Sequence, residues 1–433
     1  MTSQPHGGRL ILTGMVLIDG TGGPPVHDAS VVVEGDRIGA VVRGTEAVPG
    51  EPGDHVVHMP GFTVLPGLVD AHVHLLSNAG RHPQDVHLWN VVTPVEEQTL
   101  HAAANARKAL AAGVTTLRDT AGSWPEVSVR NAVADGILDG PRILASGMVG
   151  MTAGHADMFA PAALRERLWQ PADGADECRK RVREYARMGV DLVKICTSGG
   201  TLSVGDKTEW RNYTDAEVHA IVDEAHGLGL AVAAHAHTAR GIRVALEAGI
   251  DTLEHGSGLD DELIELMLTA GTVLCPTLSI SERMLTHGRA LGLPAESIAK
   301  AEHLAPLRRA AVRRAYTSGV SIIAGTDSGN TLPFGAHARE LQLLHDHVGM
   351  TPMEAIVAGT SAAANALGIG AETGTVESGK CADLLIVRGD PLADLTVLQN
   401  RENLATVLRA GVPFDPNASA LIHLPSVPGE FAC

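Results

Sequence analysis

Between residues 63 and 367, short apolar runs alternate with helical stretches, eight of each. This alternation constrains the chain more than any other feature. The runs span 64–73, 114–119, 142–146, 192–196, 231–235, 252–255, 272–275 and 321–326. The helical stretches, rich in Ala, Leu, Glu and Arg, span 94–112, 125–139, 175–188, 214–228, 240–248, 260–270, 298–318 and 351–367. Thr214 and Asp260 read as N-caps, with Glu217 completing a capping box after Thr214. Gly113, Gly189, Gly229, Gly249 and Gly319 fall where these helices should end. Eight such units predict an α/β fold, a closed (β/α)8 TIM barrel.

The flanks read differently. Residues 9–18, 29–34, 37–42 and 55–59 are short strands divided by Gly, Pro and Asp, without helical periodicity. Strand signals return at 374–376, 382–387 and 405–410. Pairing of the two groups predicts a small β-sandwich domain formed by both chain ends, from 1–65 and 370–433. The catalytic barrel then occupies 66–369.

In a barrel of this kind, active sites sit at the C-terminal ends of the strands. The first run ends in Asp70-Ala71-His72-Val73-His74, and strand alternation points both histidines the same way. The fourth offers Lys194, the fifth His235 with His237 just beyond, the sixth His255, and the eighth Asp327 in Gly-Thr-Asp-Ser-Gly. A lone His-x-His is as well explained by a polar strand end as by a metal. Six candidate ligands on one rim (His72, His74, Lys194, His235, His255 and Asp327) are not. Four imidazoles and a carboxylate suit zinc or a similar divalent ion. Lys194 has two readings: a lysine paired with Asp327 or Asp119, or one that has taken up carbon dioxide as a carbamate able to bridge two metals.

With these residues in view, the chain resembles the amidohydrolase superfamily, from its N-terminal strands to Gly379-Lys380-Cys381-Ala382-Asp383-Leu384. Within it, the resemblance is to the prolidase-like and imidazolonepropionase-related group, which includes dipeptidases, carboxypeptidases and ochratoxin-type amidases. The resemblance implies His72, His74 and Asp327 on one metal, His235 and His255 on a second, and a carboxylated Lys194 between them. It also implies zinc, two ions per chain.

The chemistry implied is hydrolysis of an amide, in a peptide or peptide-like substrate such as a C-terminal residue or follower segment. Two metals roughly 3.5–4 Å apart share a water and lower its pKa towards about 7. Asp327 takes the proton and passes it to the leaving nitrogen. Two further histidines are expected at the site. His155, in Gly154-His155, matches a group motif whose histidine donates to the transition state, as an imidazolium aimed at the oxyanion. His237 stands where relatives often carry a Tyr that contacts a substrate carboxylate. The long segments 77–92, 150–171, 197–213 and 276–293 should frame the cavity as loops. They hold Trp89, Phe159, Trp169, Trp210 and Tyr213, which suggests an apolar substrate contact. Arg211 and His303 are weaker candidates for binding a carboxylate.

Other functions fare worse. Hydrolysis of a lactam, carbamate or cyclic amide would fit the same metals, but a deaminase should carry a glutamate near the fifth strand, which ends Ala-His-Ala-His-Thr. A non-enzymatic scaffold would have lost ligands. A net charge of −17 without a basic stripe argues against nucleic acid. Five scattered cysteines fit a reducing cytoplasm. No run of about eighteen apolar residues is present, so no membrane span is expected. The expected partner is a small peptide or amide substrate; a homo-oligomer is left open.

Overall fold

The computed structural model describes residues 8–44, 48–78, 89–155 and 170–414. Five N-terminal strands, β1 (Leu10–Leu17), β2 (Val26–Glu34), β3 (Arg37–Val42), β4 (His55–His58) and β5 (Phe62–Pro66), meet three from the other end. These are β14 (Leu384–Arg388), β15 (Leu404–Arg409) and β16 (Val412–Phe414), and the shared sheet runs β16-β15-β14-β5-β1-β2-β3, with β4 also on β1. The two ends join where β5 and β14 pair antiparallel, Val64 opposite Ile386.

Strand alternation gives this sheet two apolar faces. Val64, Leu384, Ile386 and Leu408 point into a core shared with Leu12, Val31 and Ile38. Their neighbours Leu65, Leu385, Val387 and Val407 belong to the large core of the central region. The expected strand at 374–376 does not form, and β16 carried no signal in the sequence.

The central region holds parallel strands. One sheet runs β6 (Leu68–Val73), β7 (Val114–Asp119), β8 (Arg142–Leu144). The other runs from β9 (Ser146–Met148) through β10 (Leu192–Cys196), β11 (Ala231–Ala236) and β12 (Thr252–His255) to β13 (Val273–Cys275). Only Ala145 separates β8 from β9. The first predicted run, 64–73, divides at Gly67 between the two regions, as β5 and β6.

The eighth predicted run forms no regular strand, yet it lies between β13 and β6. Leu274 N donates to Ser321 O and Ile323 N to Leu274 O, while Ala71 N donates to Ala324 O and Asp327 N to His72 O. Positive φ at Asp327 (61°) and Gly329 (149°) ends its extended geometry.

Helices cover the parallel sheets: α1 (Trp89–Val92), α2 (Val95–Ala111), α3 (Trp124–Ala134), α4 (Ala175–Met188), α5 (Asp215–Gly227), α6 (Ala239–Ala248) and α7 (Asp261–Ala270). After β13 come α8 (Leu278–His287), α9 (Ala295–Thr317), α10 (Arg339–Leu343), α11 (Pro352–Ala358) and α12 (Ser361–Ala366). The Thr214–Glu217 capping box is present, and Asp260 Oδ1 accepts from Leu263 N. Gly189 and Gly249 end α4 and α6 in left-handed conformations, at φ 81° and 90°.

α8 replaces part of a segment expected to be a loop. Its start is capped from a distance: Glu340 of α10 accepts from Leu278 N and from both N and Oγ of Ser279. No local cap announces it, because Thr277 has a left-handed backbone instead of an N-cap geometry. The predicted helix 351–367 is two, broken at Gly359-Thr360, where Gly359 packs so close to Leu341 that a Cβ would lie 2.6 Å from its Cδ2.

Candidate metal centre

The candidate ligands meet at the C-terminal ends of the parallel strands, in the wall of a cavity of about 1160 Å³. Two clusters form there. In one, potential ligand atoms of His72, His74 and Asp327 lie within 4.8 Å of one another. His74 Nε2 is 3.0 Å from Asp327 Oδ1, and the two histidine rings stand edge to face, 5.4 Å apart. The other unites His235, His237 and His255 under the same limit. The clusters touch through His72 and His255, whose ring centroids are 5.1 Å apart.

Burial holds His72, His235, His237 and His255 neutral, which leaves ring lone pairs free for a cation. It lowers His72 to about 4 and pushes His235, His237 and His255 well below the usual histidine range. Burial would raise Asp327, but its hydrogen bond with His74 brings it down to about 2. These four neutral imidazoles therefore share the rim with a carboxylate.

Lys194 lies in the middle of β10 and lines the same cavity. Its amine is buried and has no hydrogen-bond partner. Neither expected ion pair, with Asp327 or with Asp119, is made. An orphaned amine beside two histidine clusters fits conversion to a carbamate, which would put oxygen ligands where the bare amine offers none.

Backbone strain concentrates here. Five described non-glycine residues have positive φ, and His255 (70°), Thr277 (50°) and Asp327 (61°) are three of them. Each such residue costs of order 1 kcal/mol or more, and such costs persist mainly where function requires the geometry. At β12 the consequence is visible: Glu254 and His255 are consecutive, yet both contact His72.

The supporting residues were not anticipated. Glu254 accepts from His72 Nδ1 at 2.6 Å, and its other oxygen accepts from Arg118 and Thr252. Burial opposes its ionisation, but the Arg118 guanidinium and the His72 bond hold it well below the usual carboxylate range. Asp70, two residues before His72, accepts from His72 N, from Thr326 N and Oγ1, and from His337 Nδ1. Both acids interrupt apolar strand runs, which was the available signal.

His155 does face the cavity. It stacks on His235, centroids 4.3 Å apart and planes 12° from parallel, with Nδ1 3.3 Å from Ser203 Oγ. Burial lowers it to about 4, so it is a neutral imidazole here and not the expected imidazolium. His237 is more deeply embedded than expected: Nδ1 meets Ser257 Oγ at 3.0 Å and Nε2 meets Thr201 Oγ1 at 3.3 Å.

The expected substrate contacts shift. Arg211 and His303 are exposed and do not line the cavity. Trp89 packs edge-on against His101, and Tyr213 is buried with its hydroxyl on the Val149 carbonyl. Among the described residues, the tryptophan and tyrosine in the cavity wall are Trp124 and Tyr185. Phe159 and Trp169 lie outside the described residues.

The chain matches the amidohydrolase family model over residues 63–413. An ochratoxinase of Aspergillus niger is 33% identical over 427 residues, covering 93% of this chain and 86% of the relative. The crystal structure of a Xaa-Pro dipeptidase with bound methionine is 32% identical with a TM-score of 0.85, covering 94% of this chain and 100% of that one. A prolidase complexed with N-methylphosphonate-L-proline is 29% identical with a TM-score of 0.83, covering 94% and 99%.

Proposed function

The chain belongs to the amidohydrolase family, and on that premise we propose that it is a two-metal hydrolase of peptide-like amides. As a class, it is a hydrolase acting on amide carbon–nitrogen bonds. One observation supports the finer reading: two ligand clusters share a cavity wall with a lysine whose buried amine has no partner.

In this reading His72, His74 and Asp327 hold one zinc ion and His235 and His255 a second. Lys194 bears carbon dioxide as a carbamate and joins the two sites. The parallel strands and segment 321–328 act as one closed (β/α)8 barrel spanning 66–369. Residues 1–65 and 370–433 make the β-sandwich domain. The donor set, neutral imidazoles with carboxylate-type oxygens, is one that zinc accepts.

Bound zinc supplies an acidified water and polarises the substrate carbonyl. The chain's own residues supply the rest. Asp327 takes the proton released by the attacking water and gives it to the departing nitrogen. His155, steadied by Ser203 and by its stack on His235, offers an N–H to the oxygen that gains charge. A neutral imidazole can do this, since only one of its nitrogens must carry hydrogen. His237 borders the leaving group. The proposed setting is the cytoplasm, with small amides or peptides as substrates and neither nucleic acid nor a membrane as partner.

Elemental analysis of zinc-loaded protein, joined to a screen of dipeptides and N-acyl amino acids, tests this. About two zinc ions per chain and release of free amine are expected. Protein that binds no metal under loading conditions would refute the proposal.

A further inference from the structure

Three cavity histidines lean on one short turn, which begins just after β10, the strand of Lys194. Gly199 O lies 3.3 Å from His235 Nε2, Thr201 Oγ1 3.3 Å from His237 Nε2, and Ser203 Oγ 3.3 Å from His155 Nδ1. A carbonyl can only accept, so Gly199 keeps the proton of His235 on Nε2 and leaves Nδ1 bare. Glycine makes these close contacts possible. A Cβ at Gly199 would lie 2.1 Å from Lys207 O, and one at Gly200 would run into the His155 ring.

The same glycines leave the backbone many alternatives. Residues 199–206 hold three of them, Gly199, Gly200 and Gly205. The Asp206 carboxylate closes the turn from within, where Oδ2 accepts from Gly200 N at 3.0 Å. Oδ1 accepts from Lys300 Nζ of α9 at 2.6 Å. That ammonium also donates to the carbonyls of Ser203 and Asp206, at 3.0 and 2.8 Å. The Asp206 carboxyl is fully buried, and the Lys300 side chain is 14% exposed. Two more residues of α9 join in. Ser297 Oγ donates to Leu202 O, and Glu296 Oε1 accepts from Gly205 N.

The same helix reaches the rings from the other side. Arg308 Nε donates to Ser257 Oγ at 3.1 Å, and that hydroxyl lies 3.0 Å from His237 Nδ1. His237 is thus held at both nitrogens, by the turn and by a residue that α9 anchors. A buried ion pair gains little net stability, because desolvation offsets the attraction, and its best-attested use is to fix register. What the Asp206–Lys300 pair fixes is the register of the turn against α9, and so the floor under three rings.

We propose that Asp206 is a positioning residue of this centre: paired with Lys300, it closes the turn 199–206 into a template that sets the orientation of His155, His235 and His237. For the work these rings do, this rests on the amide-hydrolase reading above; for how they are held, it rests on the contacts alone. Misplacing a reacting group by about 1 Å can cost roughly 100-fold in rate, so a residue that touches no substrate can still govern turnover.

The test removes both charges at once, in an Asp206→Asn, Lys300→Met double variant that strands neither ion. Full-length protein carrying isotope-labelled histidine nitrogens is read by NMR, both metal-free and zinc-loaded. His155→Ala, His235→Ala and His237→Ala assign the three rings. Their imidazole resonances should move together in the double variant. Those of His337 and His345, bonded to Asp70 and to the Met350 carbonyl, should stay in place. Unmoved resonances of the three rings would overturn the proposal. So would an equal shift of all histidines, the mark of a general loosening. Asp206→Glu keeps the charge but lengthens the arm; it should move the same three rings, and it decides the matter if the double variant does not fold. Turnover is read separately, on an amide that wild type cleaves. There kcat should fall by about 10-fold or more with KM changed by about threefold or less. The loss should shrink in a His155→Ala background. A loss carried by KM alone would overturn the proposal. If wild type cleaves no amide while the three rings move as described, the positioning stands and the amide-hydrolase reading fails.

Discussion

The carboxylate of Glu254 lies 2.6 Å from Nδ1 of His72, while His255, the next residue, faces the same imidazole at 5.1 Å. Adjacent strand residues normally point apart. The left-handed backbone at His255 removes that alternation just where the strand ends. Glu254 thereby takes the Nδ1 proton of His72 as a hydrogen bond and leaves the Nε2 lone pair for a cation. Arg118 and Thr252 occupy its other oxygen, so it cannot swing away. Glu254→Gln should weaken metal affinity by roughly 10- to 100-fold, the usual scale for such supporting groups. Competition against a chelator measures it. Unchanged affinity would mean that His72 needs no help from Glu254.

The ligands were legible because strand ends are legible: apolar runs stop at His72, His235 and His255, and alternation pairs His72 with His74. What supports them was hidden by distance. Glu340 caps α8 from 61 residues away, and no local pattern could announce that helix. Arg308 sits among Arg309, Arg313 and Arg314 on one helix and looks like part of a charged surface. Only packing reveals that Arg308 is buried while Arg313 and Arg314 are exposed. The eighth strand was expected as regular because 321–326 is apolar, whereas the left-handed Asp327 cuts it short.

Lys194 should be the residue most sensitive to loss of its side chain. Lys194→Ala removes the amine that the proposed carbamate bridge requires. Most activity should go, and short carboxylic acids added to the variant should restore part of it. Activity near wild type in Lys194→Ala would show that the amine carries no ligand.

Gly200 makes room for His155. A Cβ at Gly200 would lie 1.9 Å from His155 Nδ1. The ring has little freedom to retreat, being stacked on His235. Gly200→Ala should lower turnover by about 100-fold, the scale of one lost oxyanion donor, with metal content intact. Because both changes act through one ring, Gly200→Ala should add little to His155→Ala. Full additivity in the double variant would separate Gly200 from His155.

Glu126 gives a pH signature in stability. Burial, and then the charge of Asp119, raise its carboxyl to about 8, against 4.5 when free. The folded chain therefore keeps this proton over a range where the unfolded chain has lost it. Its contribution is fully present below about 4.5 and disappears as pH rises through about 8. Glu126→Gln stays neutral throughout and can still accept from Ser123 N, which now donates to Glu126 Oε2 at 2.9 Å. The melting temperature of the variant relative to wild type should climb between about pH 5 and pH 9. A difference independent of pH would place the charged form of Glu126 at no disadvantage in the fold.

Asp327 is assigned two tasks, holding a metal and moving a proton, and one substitution separates them. An attacking water must lose a proton, and a departing amine must gain one. A carboxylate beside His74 can serve both needs without moving far. Asp327→Asn keeps the size and one oxygen but cannot accept that proton. Turnover should fall by at least about 100-fold, the low end of general acid–base contributions. Metal content should suffer far less than in a His72→Ala, His74→Ala double variant, which removes two of three donors in that cluster. The wild-type pH profile supplies the independent check. The neighbours of Asp327 hold its carboxyl low, so activity should fall on the acid side only as the coupled site as a whole takes up a proton. That acid limb should be lost or displaced in the variant. Near-normal turnover in fully metallated Asp327→Asn would refute the shuttle, and the proton would have to travel through another group, with His237 of the same cavity wall the first to test.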